Sequence, residues 1–221
     1  MKKTFPKGHD FNSKHWQDYK RNLPPINGQL FEIALGMALG DASLPRAGRE
    51  AHIKFEQGYK QKEFLYHLFH LFKGYCFMKN PGSRRQLSGP RVGEVKSYWF
   101  KTFSHADFTP LRNSLYLDGR KRIEEGFLSE QLSPRGLAYW VMCDGSLHRE
   151  GKILTLHSQS FTEGENQLIS AVINKKWDLS SQCIPHKKKY YVVQFPGRDA
   201  PLLRQMLIPH LVPTMMYKLP R

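Results

Sequence analysis

Two stretches of this 221-residue chain close on the same pattern. Residues 35–44 read Leu-Gly-Met-Ala-Leu-Gly-Asp-Ala-Ser-Leu, and residues 138–147 read Ala-Tyr-Trp-Val-Met-Cys-Asp-Gly-Ser-Leu. Each is an apolar run of helical length ended by one acid, a small residue and Ser-Leu. The acids, Asp41 and Asp144, lie 103 positions apart, close to half the chain, so the repeat reads as two similar halves that each give one carboxylate to a shared place. An anion at the C-terminal end of an apolar helix meets the negative end of the helix dipole, at a cost of about 0.3–1 kcal/mol. A local preference broken twice at one point of a repeat marks a functional site. Two neighbouring carboxylates repel, divalent cations remove the repulsion, and hard oxygen donors of this kind suit Mg²⁺. The backbone carbonyls of Gly40 and Cys143, left free at the helix ends, are the natural further ligands.

The elements that must position these acids follow from periodicity and breakers. Residues 1–28 are expected to be a polar arm with a short helix at 13–22, ended by Leu23-Pro-Pro-Ile-Asn-Gly28. The first half, 29–116, should run as a helix at 29–40, strands at 42–46 and 51–57, a helix at 60–73, strands at 82–89 and 95–103, and a helix at 105–116. Alternation places Ala51, Ile53 and Phe55 on one side and His52, Lys54 and Glu56 on the other. Helical spacing turns Leu65, Leu68, Phe69 and Phe72 inward. A linker is expected at 117–132. The second half, 133–221, repeats the order: helices at 134–143, 162–176 and 198–208, with strands at 146–149, 152–158, 181–187 and 189–195. Gly36 and Gly40, four apart on one helix face, would let another backbone come close. Tyr139, the counterpart of Gly36 in the second repeat, is expected to fill the space opposite that glycine face.

Composition narrows the partner. There are 34 Lys and Arg against 19 Asp and Glu, a formal charge of +15, which points to a polyanion. The basic residues are dispersed and aromatics reach 13%, so a folded binding surface is expected rather than a disordered tail. Cys76, Cys143 and Cys183 are odd in number and lack CxxC spacing, which disfavours a disulfide framework or a zinc site. No apolar run reaches the ~18–20 residues that would span a bilayer. The opening Met-Lys-Lys-Thr-Phe-Pro-Lys-Gly-His-Asp has no apolar core, so no signal peptide is expected and the protein reads as intracellular. There is no GxSxG, GK[ST] loop or HExxH to suggest another chemistry.

The segments 34–42 and 137–145 resemble the two signature helices of the LAGLIDADG homing endonucleases, in their single-chain, two-motif form. Asp41 and Asp144 match that family's metal-binding aspartates, and Ala42 and Gly145 its closing glycine; Tyr139 departs from a usual small residue, and Cys143 departs mildly. The closing run Leu211-Val-Pro-Thr-Met-Met-Tyr-Lys-Leu-Pro220, with Leu137-Ala-Tyr-Trp140 and Gln159-Ser-Phe161, is similar to the family's yeast mitochondrial omega-intron branch. The resemblance covers roughly residues 30–220.

It implies an α+β fold of two pseudo-symmetric αββαββα halves, with the signature helices packed at the centre and antiparallel sheets forming a saddle for DNA. The implied activity is metal-dependent hydrolysis of both strands of a long, asymmetric duplex site by an intron-encoded monomer. The implied cofactor is Mg²⁺, with Mn²⁺ able to substitute and Ca²⁺ binding without cleavage. An intron RNA maturase, with intron RNA as partner, and a cleavage-dead DNA-binding protein are the alternatives. No membrane partner is expected, and an organelle, mitochondrion or chloroplast, is the expected place of an intron-encoded chain. Lys218 matches an active-site lysine of the omega-type branch and Lys121 its first-half partner. Glu56 and His157 follow the signature helices at similar distances and could position the attacking water, with Gln57 and Gln159 as rivals. The polar sheet faces would meet the major groove. Their candidates are Arg46, Arg49, His52, Lys54, Arg84, Arg85, Gln86, Lys96 and Tyr98 in the first half. In the second they are His148, Arg149, Lys152, Thr155, His186, Lys187, Lys188, Lys189, Tyr191 and Gln194. Two sheets, each following about one helical turn, imply a site of roughly 20 bp.

Overall fold

Phe55 and Phe100 stack with ring centroids 4.5 Å apart, and the first sheet is organised around them. The computed structural model describes residues 13–221, so the first twelve residues of the expected arm lie outside the described residues. The chain divides into two compact units, one of residues 13–30 and 43–109, the other of 31–42 and 110–221.

The first unit contains α1 (Lys14–Arg21), the start of α2 (Gly28–Leu39), the short β1 (Arg46–Ala47) and β2 (Glu50–Ala51), β3 (Lys54–Gly58), α3 (Lys62–Phe72), β4 (Gly82–Arg85), β5 (Val95–Lys101) and the start of α4 (Phe108–Leu115). β3, β5 and β4 form an antiparallel sheet in that order. One face packs on α3, where Phe72 lies 5.0 Å from Phe55 and Phe69 stands edge-on to Phe100 at 5.4 Å. This is the alternation read from the sequence, with Ala51, Ile53 and Phe55 fully buried. Trp16 of α1 packs on Phe103, and the Tyr19 hydroxyl donates to the Gly74 carbonyl at 2.9 Å.

The strand expected at 42–46 is reduced to a single bridge between Ser43 and Lys54. Pro45 has no N–H to continue a ladder; its carbonyl accepts from His52 N, and pairing resumes only at β1. The expected strand 51–57 is interrupted before Lys54, where Ile53 N donates instead to Thr102 Oγ1. The expected strand 82–89 stops at Arg85, where the register shifts against β5.

The second unit holds the rest of α2 and α4, then β6 (Tyr116–Leu117), β7 (Arg120–Lys121), α5 (Glu125–Gln131), α6 (Pro134–Asp144), β8 (Gly145–Leu147), β9 (Leu154–Leu156), α7 (Glu163–Trp177), β10 (Gln182–His186), β11 (Tyr190–Phe195) and α8 (Ala200–Leu207). Its main sheet is antiparallel in the order β10-β11-β9-β8. Pro185 is tolerated because β10 is an edge strand. α7 starts on a capping box, Thr162 accepting from Glu165 N and the Glu165 carboxylate from Thr162 N. The segment 117–132, expected as a plain linker, folds into the β6–β7 hairpin and α5, because Asp118-Gly119 supplies a tight two-residue turn. Among the described residues no helix is long and apolar enough to cross a membrane.

Replacing Phe100 by Ala should destabilise the protein by about 3–5 kcal/mol in urea unfolding; a loss below about 1 kcal/mol would show that the ring stack does not anchor this sheet.

Candidate active site

α6 begins where its sequence says it should. Ser133 accepts from Gly136 N at 3.1 Å and Pro134 occupies the first turn, where its missing N–H costs nothing. From there α6 runs against α2 at backbone contact. A Cβ placed on Gly36 would fall 2.1 Å from the Gly136 carbonyl oxygen, and one on Gly40 would fall 2.7 Å from Cys143 Cβ and 3.1 Å from Asp144 Oδ2. The glycines therefore answer a specific need, the removal of two side chains from a helix contact. Gly136 was not singled out from the sequence, although it and Gly36 form the closest point. At the far end, Arg135 pairs with Glu32. Tyr139 is buried at this contact, its Cβ 3.1 Å from the position that a Cβ on Gly36 would take.

Both helices end at acids. Asp144 is the last residue of α6, and Asp41 follows α2 by two. Burial, then the charge of Asp41, push the Asp144 carboxyl up to about 7, against the opposing pull of Lys121, Trp140 and Lys218. Two lysines answer the negative helix ends. Lys121, on β7, donates to the Gly40 carbonyl at 2.6 Å. Lys218, buried in the turn Pro213–Lys218, donates to the Met142 and Cys143 carbonyls at 2.6 and 2.8 Å. A cation on the last carbonyls is what a helix C-terminus favours, and here it offsets the acid that the same terminus disfavours. Burial lowers the pKa of both lysines, while Asp41 and Asp144 hold it up. Burial, then the two acids, raise the pKa of the buried Cys143 thiol well above the usual range.

The structure thus brings Asp41, Asp144, Gly40, Cys143, Lys121 and Lys218 to one place in the second unit. His157 joins them, its backbone N–H donating to the Asp144 carbonyl at 2.9 Å. Both its ring nitrogens are engaged, Nε2 with Ser146 Oγ at 2.7 Å and Nδ1 with Gln159 Nε2 at 3.2 Å. Burial, then His186, Lys218 and Lys187, lower its pKa. Glu56 lies in the first unit on the outer face of β3, paired with Lys54 and Arg84 at 2.9 and 3.2 Å and accepting from Ser97 Oγ. Burial alone would raise its pKa, but the bonds from Ser97 and Lys54 and the charges of Lys54 and Arg84 bring it below the usual range. Gln57 is buried on the opposite face.

The polar sheet faces carry most of the residues expected on them. In the first unit Arg46 and Arg49 stand exposed at the β1–β2 turn, His52 is half-buried, Arg84 stacks over Trp99, Arg85 donates to the Gly93 carbonyl, and Gln86 and Lys96 border the loop between β4 and β5. Tyr98 differs. Its register opposite Gln57 places it with Phe100 on the helix side, edge-on to Tyr66 of α3 and near the Lys62 ammonium. In the second unit His148, Thr155 and Gln194 form one cluster with contacts of 3.2–3.4 Å. Arg149 and Lys152 are exposed between β8 and β9, and Lys187, Lys188 and Lys189 are exposed between β10 and β11. Tyr191 also differs: it is one residue out of phase with Gln194 and hydrogen-bonds Glu163 of α7. A sequence reading finds a polar residue readily but must guess which face a strand gives it. In the same registers Trp99, Lys101 and Gln182 join the outer faces, unremarked in the sequence.

Two glycine-packed helices ending in paired acids, each followed by antiparallel strands, define a LAGLIDADG protein. The LAGLIDADG DNA endonuclease family matches residues 31–203, and this chain belongs to it. It is 50% identical over 133 residues to the "Probable intron-encoded DNA endonuclease 3" of Mycosarcoma maydis, covering 58% of this chain and 97% of that protein. It is 26% identical over 222 residues to the cytochrome b mRNA maturase bI2 of Saccharomyces cerevisiae, covering 95% of this chain and 52% of the maturase. The solved structure of the homing endonuclease I-WcaI bound to its DNA recognition sequence superimposes with a TM-score of 0.88 at 25% identity, over 96% of this chain and 95% of that one.

The donor chemistry fits a hard divalent cation. Asp41 and Asp144 are close enough for one charge to raise the other's pKa, and the carbonyls of Gly40 and Cys143 lie beside them, each with a second lone pair beyond its lysine. The raised Asp144 carboxyl binds its proton more tightly in the folded than in the unfolded chain. Its contribution to stability is therefore present below about pH 4 and lost as pH climbs through about 7. Metal-free Asp144→Asn should be more stable than the parent at pH 8 by on the order of 1–3 kcal/mol, with the gap closing at pH 4. Urea melts in chelator that show the same gap at both pH values would contradict this. Gly36→Ala should gain about 1 kcal/mol of helix propensity yet lose about 1–3 kcal/mol net from overpacking; a variant as stable as the parent in the same melts would mean that the helices can part freely.

Proposed function

We propose that this chain is a sequence-specific, double-strand DNA homing endonuclease working as a monomer on a long, asymmetric site. The observation that carries this is the meeting of Asp41 and Asp144 at a glycine-packed helix junction with a lysine on each helix end, Lys121 half-buried and Lys218 buried. One acid per half suits one scissile phosphate per strand.

Asp41 and Asp144, with the Gly40 and Cys143 carbonyls, would hold Mg²⁺, or Mn²⁺ in its place, with Ca²⁺ binding without supporting cleavage. Such a cation supplies Lewis-acid stabilisation and a water of lowered pKa. The remaining chemistry belongs to the chain. Lys121 and Lys218 fix the carbonyls and place positive charge where the departing oxygen becomes anionic. His157, with both ring nitrogens taken, orients Gln159 toward the attacking water. Glu56 holds Lys54 and Arg84 in place on the outer face of β3. The outer-face residues of the two sheets, with the His148–Thr155–Gln194 cluster prominent among them, are the candidates to read base edges in the major groove. A second reading, an intron RNA maturase on the same scaffold, is favoured by the likeness to the cytochrome b mRNA maturase. Intron-encoded relatives also suggest expression within a mitochondrion or chloroplast.

The purified chain, incubated with Mg²⁺ and a randomised duplex library, should enrich one cleaved sequence. On that sequence, Asp41→Asn and Asp144→Asn should each cut at least about 10²–10³-fold more slowly, while duplex affinity stays within about threefold. Parental cutting by either variant, or cutting in excess chelator, removes the acid pair from the mechanism. Stimulated splicing of an intron RNA with no cleaved duplex would favour the maturase reading.

A further inference from the structure

Left-handed backbone crowds the Cβ of every residue except glycine, and most of this chain's turns respect that. The β6–β7 turn uses Asp118 and Gly119 at φ 49° and 80°. The β1–β2 turn uses Gly48, the β8–β9 loop uses Gly151, and the β4–β5 loop uses Gly89 and Gly93, all at positive φ. Asp118 and Asp178 belong to the residue types that tolerate this region best.

The β10–β11 turn is the exception. Lys187 and Lys188 are both left-handed, at φ 48° and 61°, and among the described residues they are the only non-glycine, non-aspartate positions in that region. With Lys189 they form three consecutive exposed lysines between His186 and Tyr190, which pair across the turn. The turn's internal support is one backbone bond, from Lys189 N to the Lys187 carbonyl at 2.8 Å. None of the three is ion-paired within 4.0 Å to a described residue. Asn and Gly tolerate positive φ best, so that pair at 187 and 188 would relieve both the crowding and the repulsion. The lysines therefore work against local stability, and backbone strain kept in place by the surrounding sheet is a sign of use. The position is telling: His186, next to the turn, lies 5.7 Å from His157, whose backbone is bonded to Asp144.

We propose that the Lys187–Lys188–Lys189 turn is a phosphate clamp, a contact to the nucleic-acid backbone near the cleavage site that ignores base sequence. This assigns the three lysines to phosphates rather than base edges, and it rests on the DNA-cleaving reading above. A tight left-handed turn gathers adjoining ammonium groups on one tip, which an extended strand, alternating its side chains between faces, would not do.

The test compares the full-length parent with Lys187→Asn/Lys188→Gly, which relieves the crowding and removes two charges, and with Lys187→Gln/Lys188→Gln, which removes the charges alone. Affinity is measured by fluorescence anisotropy from 50 to 200 mM salt, on the cleaved sequence and on a scrambled duplex of equal length. In both variants the slope of log affinity against log salt should shrink by about 1.8, two phosphates at about 0.9 each. Affinity should fall roughly tenfold or more near 150 mM salt, equally on both duplexes. The Asn-Gly variant alone should melt about 2–4 °C higher. An unchanged slope, a loss confined to the cleaved sequence, or an Asn-Gly variant that melts lower overturns the clamp. If the parent binds and cuts while the variants keep its slope, the clamp alone fails. If the parent binds no duplex at all, the DNA-cleaving reading fails with it.

Discussion

The contact between α2 and α6 governs the rest. Gly36 meets the Gly136 carbonyl where no side chain fits, and Gly40 meets Cys143 one turn later. The approach is close enough that the two helices end side by side, and since each ends at an acid, two carboxylates come to share one electrostatic environment. Nothing in either helix alone would bring them there. Apolar helices commonly pack at 8–10 Å; a contact through glycines removes the spacer that side chains normally supply.

Such proximity sets up a charge problem, and the surrounding elements answer it. Two acids and two helix C-termini are all negative, and the junction is partly out of water, so one acid is driven toward neutrality. Lys121 comes from a hairpin after α4 and Lys218 from a turn after α8, and they converge on carbonyls of different helices. Burial lowers the pKa of each, and the nearby acids pull it back up. Long side chains that reach the junction from sequence-distant elements tie the remainder of the second unit to the geometry of its helix pair. The sheet takes part as well, since the backbone of His157 is bonded to the end of α6.

Much of this was readable in the residues, and the part that was not has clear causes. The two helices and their terminal acids could be found because apolar periodicity, a Ser-Pro start and a repeated closing phrase all report on local structure. Lys218 could be named only through resemblance, since a lysine 74 residues past Asp144 carries no local signal of where it docks. Gly136 went unnoticed because a glycine in the first turn of a helix reads as a weak helix former; its role depends on what lies opposite. Tyr98 and Tyr191 read as outer-face residues because alternation gives two phases and an amphipathic side chain suits both, whereas the ladder register permits one. The segment after α4 looked like a linker because its hairpin has two-residue strands, too short for periodicity to register, although Asp118-Gly119 was a legible turn. Pro45 was visible too, yet its effect on the strand after Asp41 depends on which edge its missing N–H would have served.

The helix contact is also lopsided. Gly36 corresponds in the repeat to Tyr139, yet the group that Gly36 accommodates is the backbone of Gly136, a different rung of the other helix. Were the second helix to pair with a duplicate of itself in the same contact, tyrosine would stand where Gly36 does, and its Cβ would overlap a carbonyl oxygen at 2.1 Å. The two motifs are thus no longer interchangeable partners. Through the identity of one residue, each of these two helices has been committed to the other, and the route back to self-pairing by the second is closed.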